Sequence, residues 1–188
     1  MALEIVQAGN PVLRQQALPV HASHIGTDKF NELISEMVET MRLAPGIGLA
    51  APQIGLPLQL VVLEDREETF DDLDEEYADE RERSPLPLTI LINPELYLVD
   101  DEMVTFYEGC LSVSGWAAET PRYRSVRVRS LNERGEDVDV QWSGWPARIL
   151  QHEVDHLGGT LYIDRMDSLT FSTTENLARF DGAGESAQ

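Results

Sequence analysis

Two histidines within an apolar helical repeat constrain the fold of this chain more than any other feature. The repeat begins at Ser143-Gly144 and ends at Gly158-Gly159. Its apolar positions recur near the 3.6-residue period of an α-helix: Trp145, Ile149, Leu150, Val154 and Leu157. Inside it lies His152-Glu153-Val154-Asp155-His156. The apolar flanks predict a buried helix, where unpaired polar side chains are costly, so these side chains need partners.

The remaining pattern predicts one more long helix and a set of short strands. Thr27 or Asp28 caps a helix of about four turns, which ends near Pro45-Gly46. Strands are predicted at Leu58 to Leu63, Thr89 to Pro94, Glu102 to Glu108, Tyr123 to Leu131 and Val138 to Trp142. A turn over residues 132–135 joins the last two strands as a hairpin. We therefore predict an α+β fold in which short antiparallel sheets surround the buried C-terminal helix with the H-E-x-x-H sequence.

Length and charge limit the classes of protein to which the chain can belong. At 188 residues, the chain is expected to form a single domain over residues 1–188. Its 34 acidic and 14 basic residues give a net charge of −20, which repels nucleic-acid phosphates and anionic lipid headgroups. We therefore expect no DNA partner and no membrane partner. No apolar run reaches the ~20 residues of a membrane span.

Three segments carry further information. Glu64 to Arg83 holds twelve acids and three arginines, and we interpret it as a solvated acidic insertion or loop between two strands. The last residues, 181–188, are small and polar and are expected to fray. The first residues, Met1 to Val6, lack the basic and apolar regions of a signal peptide, so a cytoplasmic location is expected.

The spacing of the two histidines indicates a metal site. Residues four apart lie on one face of a helix, so His152 and His156 can bind the same ion. Glu153 follows the first histidine and would lie beside the ion, where it can accept a proton from bound water. A bound metal lowers the pKa of that water toward ~7, which makes hydroxide available at neutral pH.

A catalytic site of this kind needs a third protein ligand and one open position. Cys110 is one candidate, and as the single cysteine it also excludes an intrachain disulfide. Glu175 is the second candidate, because it follows His156 roughly where a thermolysin-like protease has its third ligand. Alternatively, Cys110 is a nucleophile with a histidine base, as in cysteine hydrolases. The residues alone leave these three alternatives open.

Three segments together resemble the peptide deformylase family. They are Gly46 to Gly55 (GIGLAAPQIG), Glu108 to Ser112 (EGCLS) and Gln151 to Gly159 (QHEVDHLGG), and they occur in the order of the family. The resemblance extends from about Val12 to Asp167, and Ser143 to Met166 is similar to the mitochondrial-type branch, which has bacterial relatives. It implies a single catalytic domain that removes the N-formyl group from the initiator methionine of nascent polypeptides and releases formate.

The resemblance also implies a role for each matching residue. Cys110, His152 and His156 would be the metal ligands. Glu153 would be the general base and then the general acid. Gln53 and the backbone N–H of Leu111 would stabilise the oxyanion together with the metal. The substrate-binding residues would be Gly46, Ile47, Gly48, Phe106 and Ile149, where the two glycines leave room for a peptide backbone.

The implied cofactor is Fe²⁺, which Zn²⁺, Ni²⁺ or Co²⁺ can replace, because a Cys/His/His site suits several of these ions. The implied partners are N-formyl-Met nascent peptides, together with a transient association with the ribosome.

Two positions depart from the family's pattern. Ala117 stands where many bacterial members have an arginine that reaches the substrate backbone. Arg148 stands where an apolar pocket residue is common, so its aliphatic stem lines the pocket or its head points elsewhere. Glu108 is expected to form an ion pair near the metal loop.

Overall fold

The computed structural model describes residues 2–70 and 75–180. The predicted frayed tail, 181–188, and residues 71–74 of the acidic segment lie outside the described residues. The helices in the described part are α1 (Asp28–Leu43), α2 (Glu75–Glu80), α3 (Gly144–Leu157) and α4 (Thr174–Phe180). The strands there are β1 (Gly48–Ala50), β2 (Leu60–Asp65), β3 (Leu86–Leu98), β4 (Met103–Gly109), β5 (Trp116–Tyr123), β6 (Ser125–Leu131), β7 (Asp137–Ser143) and β8 (Ser172–Thr173). Short 3-10 helices occupy Pro11–Arg14, Ala51–Ile54, Glu67–Phe70 and Tyr162–Asp164.

The strands form two antiparallel sheets. One sheet has five strands in the order β1-β2-β3-β6-β7, and the other has three in the order β4-β5-β8. Helix α3 packs against the five-stranded sheet and also contacts β5 of the smaller sheet. The structure therefore confirms the predicted α+β fold, with short antiparallel sheets around the buried helix that carries the histidines. The described residues include no helix of sufficient length and apolar character to cross a membrane.

Helix α3 contacts both sheets, and most of its side chains are buried in these contacts. Its apolar residues form one cluster with apolar side chains of the five-stranded sheet, among them Val61, Leu63, Leu91, Val126 and Val128. The helix ends where expected, since the Gly158 N–H donates to the carbonyls of Val154 and Asp155. This packing fixes the backbone on which the histidines stand.

Strand β2 is buried on both faces. Val61 and Leu63 face the cluster that contains α3, whereas Leu60 and Val62 belong to a second cluster with α1. Because successive side chains of a strand point to opposite faces, a strand between two helices needs a continuous apolar run. Helix α1 begins at its predicted cap, where Thr27 Oγ1 accepts the Phe30 N–H at 3.4 Å.

Other elements differ from the prediction in extent. The predicted strand at 123–131 is in fact the end of β5 and all of β6. Strand β3 runs well past 89–94, because its second half pairs with β6 beyond an irregularity between Ile92 and Glu95. The sequence pattern does not predict β5, β8 or α4. Strand β5 contains Ala117, Ala118 and Pro121 and has no clear alternation of apolar and polar residues.

The acidic segment is not a solvated loop throughout. Its described residues include the end of β2, a 3-10 helix and helix α2. At its two ends, Asp65 and Arg83 form a buried ion pair with a distance of 2.8 Å between Oδ2 and Nε. The interpretation as a solvated loop is therefore wrong for these ends, because their charges compensate each other inside the fold.

Candidate metal centre

Three potential metal ligands meet between the small sheet and α3. Cys110 directly follows β4, and His152 and His156 lie one turn apart on α3. The potential ligand atoms of the three residues all lie within 4.8 Å of one another. Cys110 Sγ is 3.4 Å from His156 Nε2, and the two imidazole centroids are 5.1 Å apart. One thiol and two imidazoles at this spacing can hold one divalent ion and leave a fourth position open.

A buried carboxylate orients the first histidine. Glu108 Oε2 accepts a hydrogen bond from His152 Nδ1 at 3.0 Å, so the other ring nitrogen, Nε2, remains for an ion. Glu108 also bonds Arg122 at 2.9 Å through both of its oxygens and Arg148 Nη1 at 2.7 Å. Burial opposes ionisation of Glu108, but Arg122 and His152 outweigh it and hold its pKa well below the usual range.

The ion pair expected at Glu108 is therefore present, with Arg122 and Arg148 as the partners. The guanidinium of Arg122 continues the network to Asp155, at 2.5 Å, on the turn of α3 that carries His156. Arg165 donates to the same carboxylate at 2.6 Å. Arg122 and Arg165 thus hold the turn of α3 that carries His156 in place through Asp155.

Glu153 lies beside the three potential ligands, and its carboxylate is buried. Its Oε2 has no hydrogen-bond partner among the described residues. Burial raises the pKa of Glu153 to about 7, although the charge of His152 opposes the shift. A β-carbon built at Gly48 would stand 2.8 Å from both Cγ and Cδ of Glu153. Gly48 is therefore needed to accommodate this carboxylate, a different steric reason from the predicted room for a peptide.

Gln53 presents a fixed amide to the same place. Its Oε1 accepts the Ala50 N–H at 2.8 Å, and its Nε2 lies 3.6 Å from Cys110 Sγ. Because the oxygen is engaged by the backbone, the amide orientation is set, and the N–H donors face the ligand cluster. Gln53 is buried on the 3-10 helix that follows β1.

His156 is fully buried, and the other two residues of the cluster, Cys110 and His152, line a cavity of about 310 Å³. Of the predicted site residues, the following line it: Gly46, Ile47, Gly48, Gln53, Cys110, Leu111, Ile149, His152 and Glu153. Phe106 directly precedes the lining residue Tyr107, and its part in substrate binding stays a prediction. Its ring lies between two guanidinium groups, 4.6 Å from Arg81 Cζ and 5.2 Å from Arg148 Cζ.

The two departures from the family's pattern have structural counterparts. Arg148 lines the cavity, and its guanidinium donates to Glu108 and to the carbonyls of Thr120 and Val104. Ala117 is fully buried and pairs with Gly109 of β4 and Ser172 of β8. Glu175 lies in the first turn of α4 and outside the cluster of potential ligands in the described part of the chain.

Several cavity residues were not predicted from the sequence, among them Tyr107, Trp116, Trp145 and Thr174. Trp145 carries a local signal, because it stands one turn before Ile149 on the same helix face. Trp116 and Thr174 reach the cavity through the pairing of β5 with β8, where Trp116 pairs with Thr173. No short sequence pattern predicts that pairing.

Comparisons with known proteins agree with this geometry. A family model described as Polypeptide deformylase matches residues 2–172. The chloroplastic peptide deformylase 1A of Solanum lycopersicum is 46% identical over 174 residues, which cover 93% of this chain and 63% of that protein. The mitochondrial peptide deformylase of Homo sapiens is 43% identical over 168 residues, which cover 89% of this chain and 69% of that protein. This chain thus spans less than two thirds of the plant relative's length.

A solved structure is similar over most of the fold. It is the Met-Ala-Ser-bound class I type b peptide deformylase from Acinetobacter baumannii, with a TM-score of 0.79 and 31% sequence identity. The match covers 88% of this chain and 99% of that one. Sequence and structure therefore agree, and this chain belongs to the peptide deformylase family.

Proposed function

We propose that this chain is a metal-dependent hydrolase that removes the N-formyl group from peptides beginning with N-formyl-Met and releases formate. Membership of the family supports this activity. The single observation that carries it is the meeting of three potential ligand atoms within 4.8 Å of one another, where Cys110, His152 and Glu153 line the same cavity.

Cys110, His152 and His156 would hold the metal, and the chemistry of this donor set fits a divalent ion. The His152 ring is already oriented by Glu108, as ligating histidines in metal sites usually are. Burial lowers the pKa of His156 well below its ordinary value, which favours the neutral form that binds metals. A divalent metal at this site supplies Lewis-acid chemistry and lowers the pKa of a bound water. We propose Fe²⁺ as the native ion, with Zn²⁺, Ni²⁺ or Co²⁺ as functional replacements.

Glu153 would move the proton. Its buried carboxylate accepts a proton from the attacking water and later delivers it to the nitrogen of the leaving amine. The same carboxylate can serve both steps because it is held against Gly48 within the cavity.

Gln53 and Leu111 would stabilise the tetrahedral oxyanion. The Nε2 of Gln53 is turned toward Cys110, and the backbone of Leu111 follows Cys110 directly. Donors held in place before the reaction stabilise developing charge without reorganisation. We assign the same function to the backbone N–H of Leu111.

The substrate would lie along the cavity wall. Ile47, Trp145 and Ile149 give this wall an apolar character that suits a methionine side chain. Gly46 also lines the cavity, and a β-carbon at this position would lie 2.8 Å from Leu111 Cδ1. The Met-Ala-Ser peptide bound to the Acinetobacter enzyme supports a peptide substrate of this kind for the present chain.

Transient association with the ribosome stays a prediction, as does a single catalytic domain over residues 1–188. The cytoplasmic location also stays a prediction, and the named relatives include chloroplastic and mitochondrial proteins.

The decisive experiment measures formate release from formyl-Met-Ala-Ser by protein loaded anaerobically with Fe²⁺. Acetyl-Met-Ala-Ser serves as the matched control peptide. We expect formate from the first peptide, no acetate from the second, and loss of activity when a chelator removes the metal. Full metal content without any formate release would contradict the proposed function.

A further inference from the structure

The acidic segment is closed at its base by a buried ion pair. Arg83 donates to Asp65 through both Nε, at 2.8 Å, and Nη2, at 3.1 Å. The side chains are only 8% and 1% exposed, respectively. Thr69 Oγ1 donates to the same carboxylate at 2.9 Å. Such a planar two-bond pair fixes the guanidinium in both position and orientation.

This fixed guanidinium lies against a residue of the cavity wall. Arg83 Cζ is 5.6 Å from the ring centroid of Trp145 and 5.4 Å from that of Phe70. Trp145 is buried and lines the cavity. A cation within about 6 Å of an indole face forms a favourable cation–π interaction, which is stronger where water is excluded.

A second arginine of the segment, Arg81, contacts the ring of Phe106. Arg81 Cζ lies 4.6 Å from the centroid of Phe106, and Arg148 Cζ lies 5.2 Å from the same ring. Arg148 lines the cavity, so Phe106 connects it to the acidic segment.

The backbone of the segment also touches the start of α3. A β-carbon at Gly144 would overlap that of Glu82 and lie 3.0 Å from the Glu82 carbonyl oxygen. Gly144 has a φ of +63°, a conformation that glycine adopts without strain. The segment therefore lies directly beside Trp145, the next residue of α3. We refer to Asp65, Arg81, Glu82 and Arg83 as the clasp.

We propose that the clasp is a specificity-determining element: Arg83, held by Asp65, positions Trp145 and thereby fixes the apolar wall that receives the first side chain of the substrate. Arg83 is a positioning residue, since it acts through Trp145. The inference rests on the proposed function, because it takes the cavity as the site of the formylated peptide. It also gives the acidic segment a structural reason to keep two of its three arginines against the fold.

The test compares two arginines of the same segment. Arg83→Met removes the clasp cation, and Arg66→Met, at an exposed position, removes an equal charge without touching the wall. For Arg83→Met we expect KM for formyl-Met-Ala-Ser to rise about threefold to tenfold, with kcat within about twofold. The preference for formyl-Met-Ala-Ser over formyl-Phe-Ala-Ser should fall by a similar factor. Arg66→Met should change neither quantity.

Two further variants separate positioning from folding. Arg83→Met leaves Asp65 buried without its cation, which destabilises a fold. The double variant Asp65→Leu with Arg83→Met removes both charges and should still show the raised KM. Arg83→Lys retains a cation but not the planar fork, so its KM should lie between those of Arg83→Met and the unaltered protein.

Two readouts do not depend on turnover. Binding of Met-Ala-Ser to the metal-loaded protein, measured by calorimetry, should weaken by the same factor in Arg83→Met. The near-ultraviolet circular dichroism of the tryptophans should change in Arg83→Met and in the double variant but not in Arg66→Met. Metal content should be equal in all variants.

Equal KM values and equal tryptophan spectra for the double variant and Arg66→Met would contradict the proposed role of the clasp in positioning Trp145. If the unaltered protein released no formate, the proposed function would be wrong. The tryptophan spectra and peptide binding would still show whether the clasp positions Trp145. Unchanged spectra in the double variant would contradict this role in that case as well.

Discussion

Gly48 and Glu153 are in such close contact that residue 48 has no room for a side chain. A β-carbon there would lie 2.8 Å from Cγ and Cδ of the glutamate, which is itself only 4% exposed. The strand β1 thus sets where the carboxylate of α3 stands. This contact joins the glycine-rich segment to the H-E-x-x-H helix.

We predict that Gly48→Ala displaces Glu153 and lowers kcat by about 10-fold to 100-fold, because proton transfer is sensitive to displacements of about 1 Å. Metal content should remain full. Gly158→Ala is the matched control, since its β-carbon would have only an ordinary contact of 3.4 Å with Asp155 O. Equal kcat values for the two variants would show that Gly48 does not position Glu153.

Glu153→Gln should retain the metal and lose most turnover. The amide keeps the size of the side chain but cannot accept the proton, and such transfer contributes ~10²–10⁴-fold to rate. Metal content and formate release are to be measured on the same sample. Loss of metal in parallel with rate would instead identify Glu153 as a ligand or a support of the ligands.

Gln53→Ala should lower kcat by about 100-fold with little change in KM. The Nε2 group acts on charge that appears only in the transition state, and removal of one oxyanion donor typically costs that much. Steady-state kinetics on formyl-Met-Ala-Ser provide the check. A rise in KM at constant kcat would assign Gln53 to binding of the ground state.

Glu108→Gln should weaken metal binding about 10-fold to 100-fold, as loss of a hydrogen-bond partner behind a ligating histidine does. It should also lower Tm, because Arg122 and Arg148 would lose their shared buried carboxylate. Chelator competition and thermal unfolding measure the two effects. Glu102→Gln, at an exposed ion pair with Arg124, is the control that should leave both unchanged.

Local patterns predicted the elements whose side chains repeat regularly. Helix α3 and strand β2 are examples, because burial on one helix face or on both strand faces leaves a clear period. Strand β5 was not predicted, because Ala117 and Pro121 interrupt any alternation and pairing with distant β4 determines its conformation. The same applies to β8, which consists of two residues.

The site shows the same division. His152, Glu153 and His156 follow from a five-residue pattern, whereas Cys110 as their neighbour required the resemblance to a family. The contact of Arg81 with the Phe106 ring was not predicted, because nothing local in the sequence indicates it. Trp145 was predicted only as a buried position of the helix, although it stands one turn before Ile149 on the face of α3 that lines the cavity.

Cys110, and not Glu175, is expected to be the third metal ligand. Cys110→Ala should lose metal affinity and activity together, because Sγ lies 3.4 Å from His156 Nε2 and a Cys thiolate is a strong ligand for the ions considered. Glu175→Ala should leave both nearly unchanged, since Glu175 lies on α4, outside the ligand cluster of the described residues. Were Cys110 a nucleophile, a chelator would spare activity and alkylation of the thiol would abolish it. Metal content, formate release and chelator sensitivity, measured for both variants, distinguish these cases. Full metal content in Cys110→Ala would contradict the ligand assignment, and loss of metal in Glu175→Ala would transfer it to the carboxylate.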